Sequence, residues 1–432
     1  MRRRRGHGIR SRAAAAGVTA LALTLAATGC GPADDGDPAD VTGSVTWWDT
    51  SGPTEAPAVH RLVAEFEKEH PKIDVDYVNV DFFEAQQQYR DAVRDGSGVP
   101  DVLRADVGWM AGFVQDGLLA DLTGTAAVPE PEGFLETTTA SVTFDGRTYG
   151  APQVTDPLAL LYNKELFDEA GLTRPPDTWE SLRDAALTIK ETTGVDGIAL
   201  NTDPYYALPF LYGEGSDLLD PELARITVAD DASVRAASTA ADLVDSGAAR
   251  KPPAEDAYGA MQSAFQRGEV AMIFDGPWAT TGIFEGAAFD DRENLGIAPV
   301  PAGSTGERGS PTGGHNLVVS AGTEHPEAAR LFVGFMTAAE QQEELALKLS
   351  LLPTRKAAYT RQVLSDPIRN SFYFASTTCV PRLSVPEGAE LLATFEPRWE
   401  AILRGTQPPE EALAETAETW STSVLPDWPV AR

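Results

Sequence analysis

The chain predicts a two-lobed α/β protein with a ligand site at the strand ends, and three observations lead there. Strand and helix patterns alternate from Val45 onward in an order that suits βαβ units. The alternation returns after residue 197, more than one α/β domain holds. Carboxylates and large aromatics follow each expected strand.

The first strand is Val45-Thr46-Trp47-Trp48. Ala56 to His70 sets Val59, Leu62, Val63 and Phe66 on one helical face, and Pro71 stops it. Ile73 to Val80 alternates as a strand, and a helix runs through Gln86 to Arg94. Val102 to Ala105 is a third strand before a helix from Trp109 to Asp116. Later strands are expected at Gly197–Leu200, Val270–Phe274 and Asn316–Ser320, the last leading into a helix from Pro326 to Ala339. This order predicts parallel sheets.

The N-terminus reads as an export signal. Arg2 to Arg5, Arg10 and Arg12 precede an apolar run from Ala13 to Ala27, too short for a membrane span. Cys30 directly follows Leu25-Ala26-Ala27-Thr28-Gly29, an arrangement that resembles the lipobox of bacterial lipoproteins. Residues 1–29 are thus expected as a signal peptide, and 30–42 as a lipidated, acidic, turn-rich tether on the outer face of the cytoplasmic membrane. An ordinary secretory signal is the alternative.

The formal charge of −31 becomes −37 once the six signal arginines are gone. Such a surface disfavours nucleic acid and anionic lipid. With Cys30 lipidated, Cys379 has no intrachain partner. His60, His70, His315 and His325 lack ligand spacing, so neither metal nor cofactor is expected.

Ligands of open α/β sheets bind beyond the carboxyl ends of the strands. There the sequence puts Asp49 and Glu55, then Asp106 and Trp109, then Asp203, Tyr205 and Tyr206, then Asp275 and Trp278. Carboxylates accept bonds from neighbouring hydroxyls, and aromatic faces cover the C–H face of a sugar ring. Any one of these residues reads equally well as a cap, a turn or core.

The chain resembles the carbohydrate-type extracellular solute-binding proteins of ABC importers, closest to the maltose/maltodextrin branch. Carrying segments are Pro100 to Trp109, Tyr149-Gly150-Ala151-Pro152, Leu160 to Lys164, Pro176 to Glu180, Phe265 to Met272, Gly276-Pro277-Trp278 and Thr312 to Leu317. The resemblance implies a two-lobed periplasmic-binding-protein-like fold with hinge crossings and a central ligand cleft, its first lobe of residues 43–154 and 300–352 and its second of 155–299 and 353–428. It implies sugar contacts at Asp156, at Asp203 with Tyr205 and Tyr206, and at Trp278. Asp106 and Trp109 belong to a contact loop of the first lobe, and Asp49 and Glu55 to the loop after the first strand. Gly313 and Gly314 look like a backbone approach to the ligand. Maltose binders carry a further tryptophan near the C-terminus, where Trp399 aligns poorly. An arginine beside a proline occupies that place in the trehalose branch, which makes Arg382 the candidate donor there.

The implied function is a monomeric receptor that delivers oligosaccharide to an integral-membrane permease driven by a separate ATPase. Trehalose, another oligosaccharide or a polyamine on the same fold, and a secreted glycoside hydrolase, remain alternatives. The tyrosine pair also admits a ferric-ion binder, and an adhesive lipoprotein has no positive feature in its favour.

Overall fold

A computed structural model describes residues 40–431 apart from Pro53. The signal and lipidation site expected at residues 1–30 lie outside the described residues. Two sheets organise the rest. The first has the order Leu352–Pro353, Ala151–Pro157, Ser310–Val319, Val102–Asp106, Gly43–Asp49, Ile73–Asn79, with Cys379–Val380 added beside Ser310. The second has the order Ala249–Arg250, Asp196–Ala199, Val270–Asp275, Ala159–Asn163, Leu295–Ala298.

The sheets are mixed, which corrects the parallel expectation. Gly43–Asp49 pairs in parallel with Ile73–Asn79 and Val102–Asp106, as their βαβ connections demand. Ser310–Val319 re-enters this sheet from the other lobe and runs antiparallel to Val102–Asp106 and Ala151–Pro157. In the second sheet Ala159–Asn163 runs antiparallel to both of its neighbours. The strands that change direction are those that carry the chain between lobes.

Local sequence explains the elements that frame the cleft. The helix Ala56–Glu69 has proline in its first turn and buries Val59, Leu62, Val63 and Phe66. Phe82–Asp95 starts on the Asp81 side chain, which accepts from Phe83 N, and ends on Gly96 at φ 65°. Trp179–Thr193 begins with a reciprocal Thr178–Ser181 capping pair and ends on Gly194 at φ 78°.

Period-two alternation divides the first lobe's core between the faces of its sheet. Val102, Leu317 and Val319 join one cluster with Trp47 and Phe332, and Leu103, Ala105 and Val318 join another with Tyr89 and Phe113. The second lobe has one large core, which includes Phe210, Phe265, Phe372, Phe395 and Trp420. Trp399, the poorly aligned tryptophan of the C-terminal region, is part of it, 2% exposed and donating to the Asn201 carbonyl at 3.2 Å.

Three segments cross between the lobes. Leu158 alone separates Ala151–Pro157 in the first sheet from Ala159–Asn163 in the second, so the expected boundary at 154/155 falls inside a strand. Residues 299–309 return the chain to the first sheet, and residues after Pro353 take it back again. The crossings are bonded together. Leu158 N donates to Ser310 Oγ at 2.7 Å, Ser310 N donates to the Thr378 carbonyl, and Thr312 Oγ1 donates to the Val380 carbonyl. Ser310→Ala leaves the buried Leu158 N–H unpaired and is expected to lower unfolding free energy by about 1–3 kcal/mol, read from urea denaturation. An unchanged midpoint would show that the lacing adds no stability.

Candidate functional site

A cleft of about 880 Å³ opens between the sheets, lined from both lobes. The first lobe supplies Glu55, Phe82, Arg104, Asp106, Trp109 and Asp156; the second supplies Asp203, Tyr205, Tyr206, Tyr258 and Trp278. Arg382 reaches in from the chain beyond the third crossing. Asp106 ends its strand, and Asp203 follows Asp196–Ala199, the sheet edge where ligands of such folds bind.

Two of these carboxylates hold local structure as well as the cleft wall. Asp106 accepts from Gly108 N at 2.7 Å and starts the 3₁₀ turn Val107–Trp109. Asp203 accepts from Tyr205 N at 2.8 Å and starts the turn Pro204–Ala207. Each cap fixes a carboxylate and an aromatic together, Trp109 after the first and Tyr205 with Tyr206 after the second.

Arg382 links the lobes. Its Nη1 lies 2.9 Å from Asp106 Oδ1, and its guanidinium sits 5.2 Å from the centroid of the Tyr205 ring. Gly108 leaves the room for this, since a Cβ there would lie 2.5 Å from Arg382 Nη2. Tyr205 Oη donates weakly to the Asp156 and Pro311 carbonyls, both at 3.4 Å.

Aromatic faces stand on both walls. Phe82 stacks on Trp109 with centroids 5.3 Å apart, and Phe83 is 77% exposed at the rim. Opposite, Trp278 Nε1 donates to Tyr258 Oη at 3.1 Å, which uses the indole's only polar atom inside the protein.

The carboxylates are short of partners. Asp156 is 4% exposed, its Oδ1 accepts no hydrogen bond, and His315 Nδ1 lies 3.9 Å from its Oδ2. Burial raises its pKa to about 7, against the pull of Arg104 and with a further push from Glu55 and Asp106. Glu55 is raised by burial, opposed by Arg104, and its Oε1 is also unpartnered. Burial raises Asp203 too, opposed by Tyr205 N and Arg382. His315 is held well below its usual range by burial and by the two arginines, so it is neutral. Among the described residues no cluster of three or more His, Cys, Asp or Glu has the arrangement of a metal site.

Most of the sequence-derived residues meet here, with two exceptions and one change of reason. Asp275 does not line the cleft: it is fully buried and accepts from Gln262 Nε2 and Gly276 N. Asp49 does not reach the cleft either. It is fully buried, accepting from Ser51 and from Tyr77 Oη (2.8 Å) with Arg104 at 3.9 Å, so it braces the loop beneath Glu55. Gly313 and Gly314 do line the cleft, but protein atoms explain their lack of a side chain. A Cβ on Gly313 would lie 2.6 Å from Tyr205 Oη. Gly314, at φ 128°, would meet the Val154 carbonyl at 2.2 Å.

Arg104, Phe82, Tyr258 and His315 were missed by sequence reasoning. Arg104 carried a signal, being a charge inside a strand buried along its whole length. Phe82 followed a capping aspartate; Tyr258 and His315 carried no pattern.

An acidic, aromatic cleft walled by two lobes defines a ligand-capture protein of the two-lobed periplasmic-binding type. The chain belongs to the bacterial extracellular solute-binding protein family, whose model matches residues 51–343. The GacH receptor of Streptomyces glaucescens, solved unliganded and in complex with acarbose, is 43% identical, with a TM-score of 0.86 over 90% of this chain and 100% of that one. Maltose-bound MalE3 of T. maritima is 25% identical, with a TM-score of 0.80 over 88% of this chain and 99% of its own. A maltooligosaccharide ABC transporter solute-binding lipoprotein of Streptococcus pneumoniae is 29% identical over 271 residues, 60% of this chain and 61% of its own.

The raised carboxylates give the ligand-free protein a definite pH dependence. Asp156 and Asp217, raised by burial to about 7, and Asp275, raised by burial to about 8, favour the protonated form when folded. The stability this confers is full below the unfolded carboxylate pKa near 4 and is lost as pH rises through about 7–8. The denaturant midpoint is expected to fall between pH 5 and pH 8, and Asp156→Asn to flatten that slope by about 1 kcal/mol per pH unit. A variant slope equal to wild type would mean that Asp156 ionises normally.

Proposed function

We propose that this protein is the extracellular receptor of an ABC importer for maltose- and maltodextrin-type α-glucosides. The observation that carries the reading is the pairing of aromatic faces with carboxylates on both walls of one cleft. Rings cover the apolar faces of a sugar, and carboxylates with open lone pairs accept its hydroxyl protons. A volume of about 880 Å³ lies near the upper end of the ~300–1,000 Å³ common for ligand pockets, which suits an oligosaccharide. Relatives that bind maltose and acarbose, or are named for maltooligosaccharide transport, support the same class.

Sugar contacting both lobes favours their closed arrangement by its differential affinity. The closed receptor then docks on a membrane permease, whose energy comes from a separate ATPase. In this reading the chain binds and does not hydrolyse its ligand. Asp106, Asp156, Asp203 and Glu55 are hydroxyl acceptors, Arg382 is a donor, and Trp109, Tyr205, Tyr206 and Trp278 supply ring faces. Gly313 and Gly314 form part of the floor.

Titration calorimetry with maltose, maltotriose, trehalose and spermidine tests the ligand class. Binding of α-glucosides is expected, and Trp278→Ala weakens it by about 1–3 kcal/mol through lost stacking area. Tight spermidine binding with no sugar binding would replace this reading by a polyamine receptor, which the excess of acids favours. Glucose released from nitrophenyl maltoside would make the chain a hydrolase.

Anchoring by Cys30 forms part of the proposal, supported by the lipoprotein named among its relatives. Cys30→Ser is expected to release the protein into the medium with sugar affinity unchanged, read by immunoblot of cell and culture fractions. Retention of the variant on cells would refute the anchor.

A further inference from the structure

Five large apolar side chains are exposed among the described residues: Phe83, Leu223, Tyr373, Phe374 and Val430. Phe83 is the most exposed at 77%, and it alone of the five lines the cleft. Single apolar residues scattered over a surface are ordinary, but a large bare ring at the mouth of a ligand cleft calls for an occupant.

The fold holds this ring in place. Phe83 N donates to the Asp81 carboxylate at 2.9 Å, which fixes the residue in the first turn of the helix Phe82–Asp95. Successive helical positions point about 100° apart, so Phe82 and Phe83 cannot share a face. Phe82 turns inward and stacks on Trp109, while Phe83 stays outside in a T-shaped contact with Phe82, centroids 5.4 Å apart. Three rings thus lead outward: Trp109 is 8% exposed, Phe82 is half-buried, and Phe83 stands at the mouth.

Gln86 completes the group. It follows Phe83 by three residues, on the same side of the helix, and it also lines the cleft. The side chains of Gln87 and Gln88 are tied to Asp91 and Glu84, whereas the Gln86 amide makes no hydrogen bond among the described residues. An unengaged amide offers both donors and an acceptor to hydroxyls, and a ring face covers the C–H face of a sugar. The pair repeats at the mouth the combination of ring and polar group that lines the interior.

We propose that Phe83 and Gln86 form an outer sugar subsite, which holds a ring of the chain that extends past the enclosed part of the cleft. This deepens the sugar-receptor reading and rests on it. The subsite adds affinity only for ligands long enough to reach it, so the receptor favours longer α-glucans, and short ones are held by the interior residues alone.

Titration calorimetry with maltose and maltohexaose tests the subsite. Wild type is expected to bind maltohexaose at least about fivefold more tightly than maltose. Phe83→Ala is expected to weaken maltohexaose about five- to tenfold and maltose by less than about twofold. Phe83→Tyr keeps the ring face and is expected to hold maltohexaose within about twofold of wild type. Gln86→Ala is expected to weaken maltohexaose by about threefold, again sparing maltose. A thermal melt close to that of wild type checks that these surface variants fold. Equal losses for both sugars would mean that Phe83 packs against the opposite lobe on closure, and would overturn the subsite. Equal wild-type affinities, or a maltohexaose affinity unchanged in Phe83→Ala or Gln86→Ala, would also overturn it and leave the sugar receptor standing. Failure of both sugars to bind wild type would overturn the sugar receptor itself.

Discussion

Everything in the cleft depends on how the three crossing segments are bonded to one another. Leu158 is one residue between two sheets, and its amide hydrogen is held by Ser310 of the second crossing. Ser310 in turn pairs through its backbone with the third crossing at Thr378 and Cys379. In the proposed closure, a hinge laced in this way would let the lobes rotate as bodies while the strands at the base stay in register. Asp156, Gly313 and Gly314 sit on those strands, so the floor of the cleft would keep its shape.

Above that floor, structural and recognition roles share residues. Asp106 and Asp203 each satisfy a backbone N–H of a following turn and still line the cleft. A capping aspartate has a fixed rotamer, so the acceptor is positioned before any ligand arrives and little entropy is left to lose. The other cost is electrostatic. Asp156, Glu55 and Asp203 are held in surroundings that disfavour their ionised forms. In the proposed receptor, a ligand with suitable donors would offset that cost.

Much of this was legible in the sequence because the determinants are local. Helix stops such as Pro71 and Gly96, and the apolar face of Ala56–Glu69, follow from short-range sterics and burial. The strand-end carboxylates could be found because topology fixes where strand ends point. Strand direction was less legible: Ser310–Val319 looks like any buried strand, and only its partners make it antiparallel. Asp49 looked equivalent to Asp106, since both close a strand. Tyr77, brought near by the fold, and the neighbouring Ser51 turn it inward as an anchor. The glycines at 313 and 314 were noticed for the right property, but their crowding comes from Tyr205 and Val154, which are remote in sequence.

The bond from the Trp278 indole to Tyr258 has a wider consequence. With its single donor occupied, the tryptophan offers any ring only a flat apolar face, and such a face has no preferred register along a chain of similar rings. The directional groups in the cleft are carboxylates such as Asp106, Asp156 and Asp203 and the Arg382 guanidinium. In the proposed sugar receptor those groups would read ligand identity, and the indole would act as a rail on which chains of different length could rest.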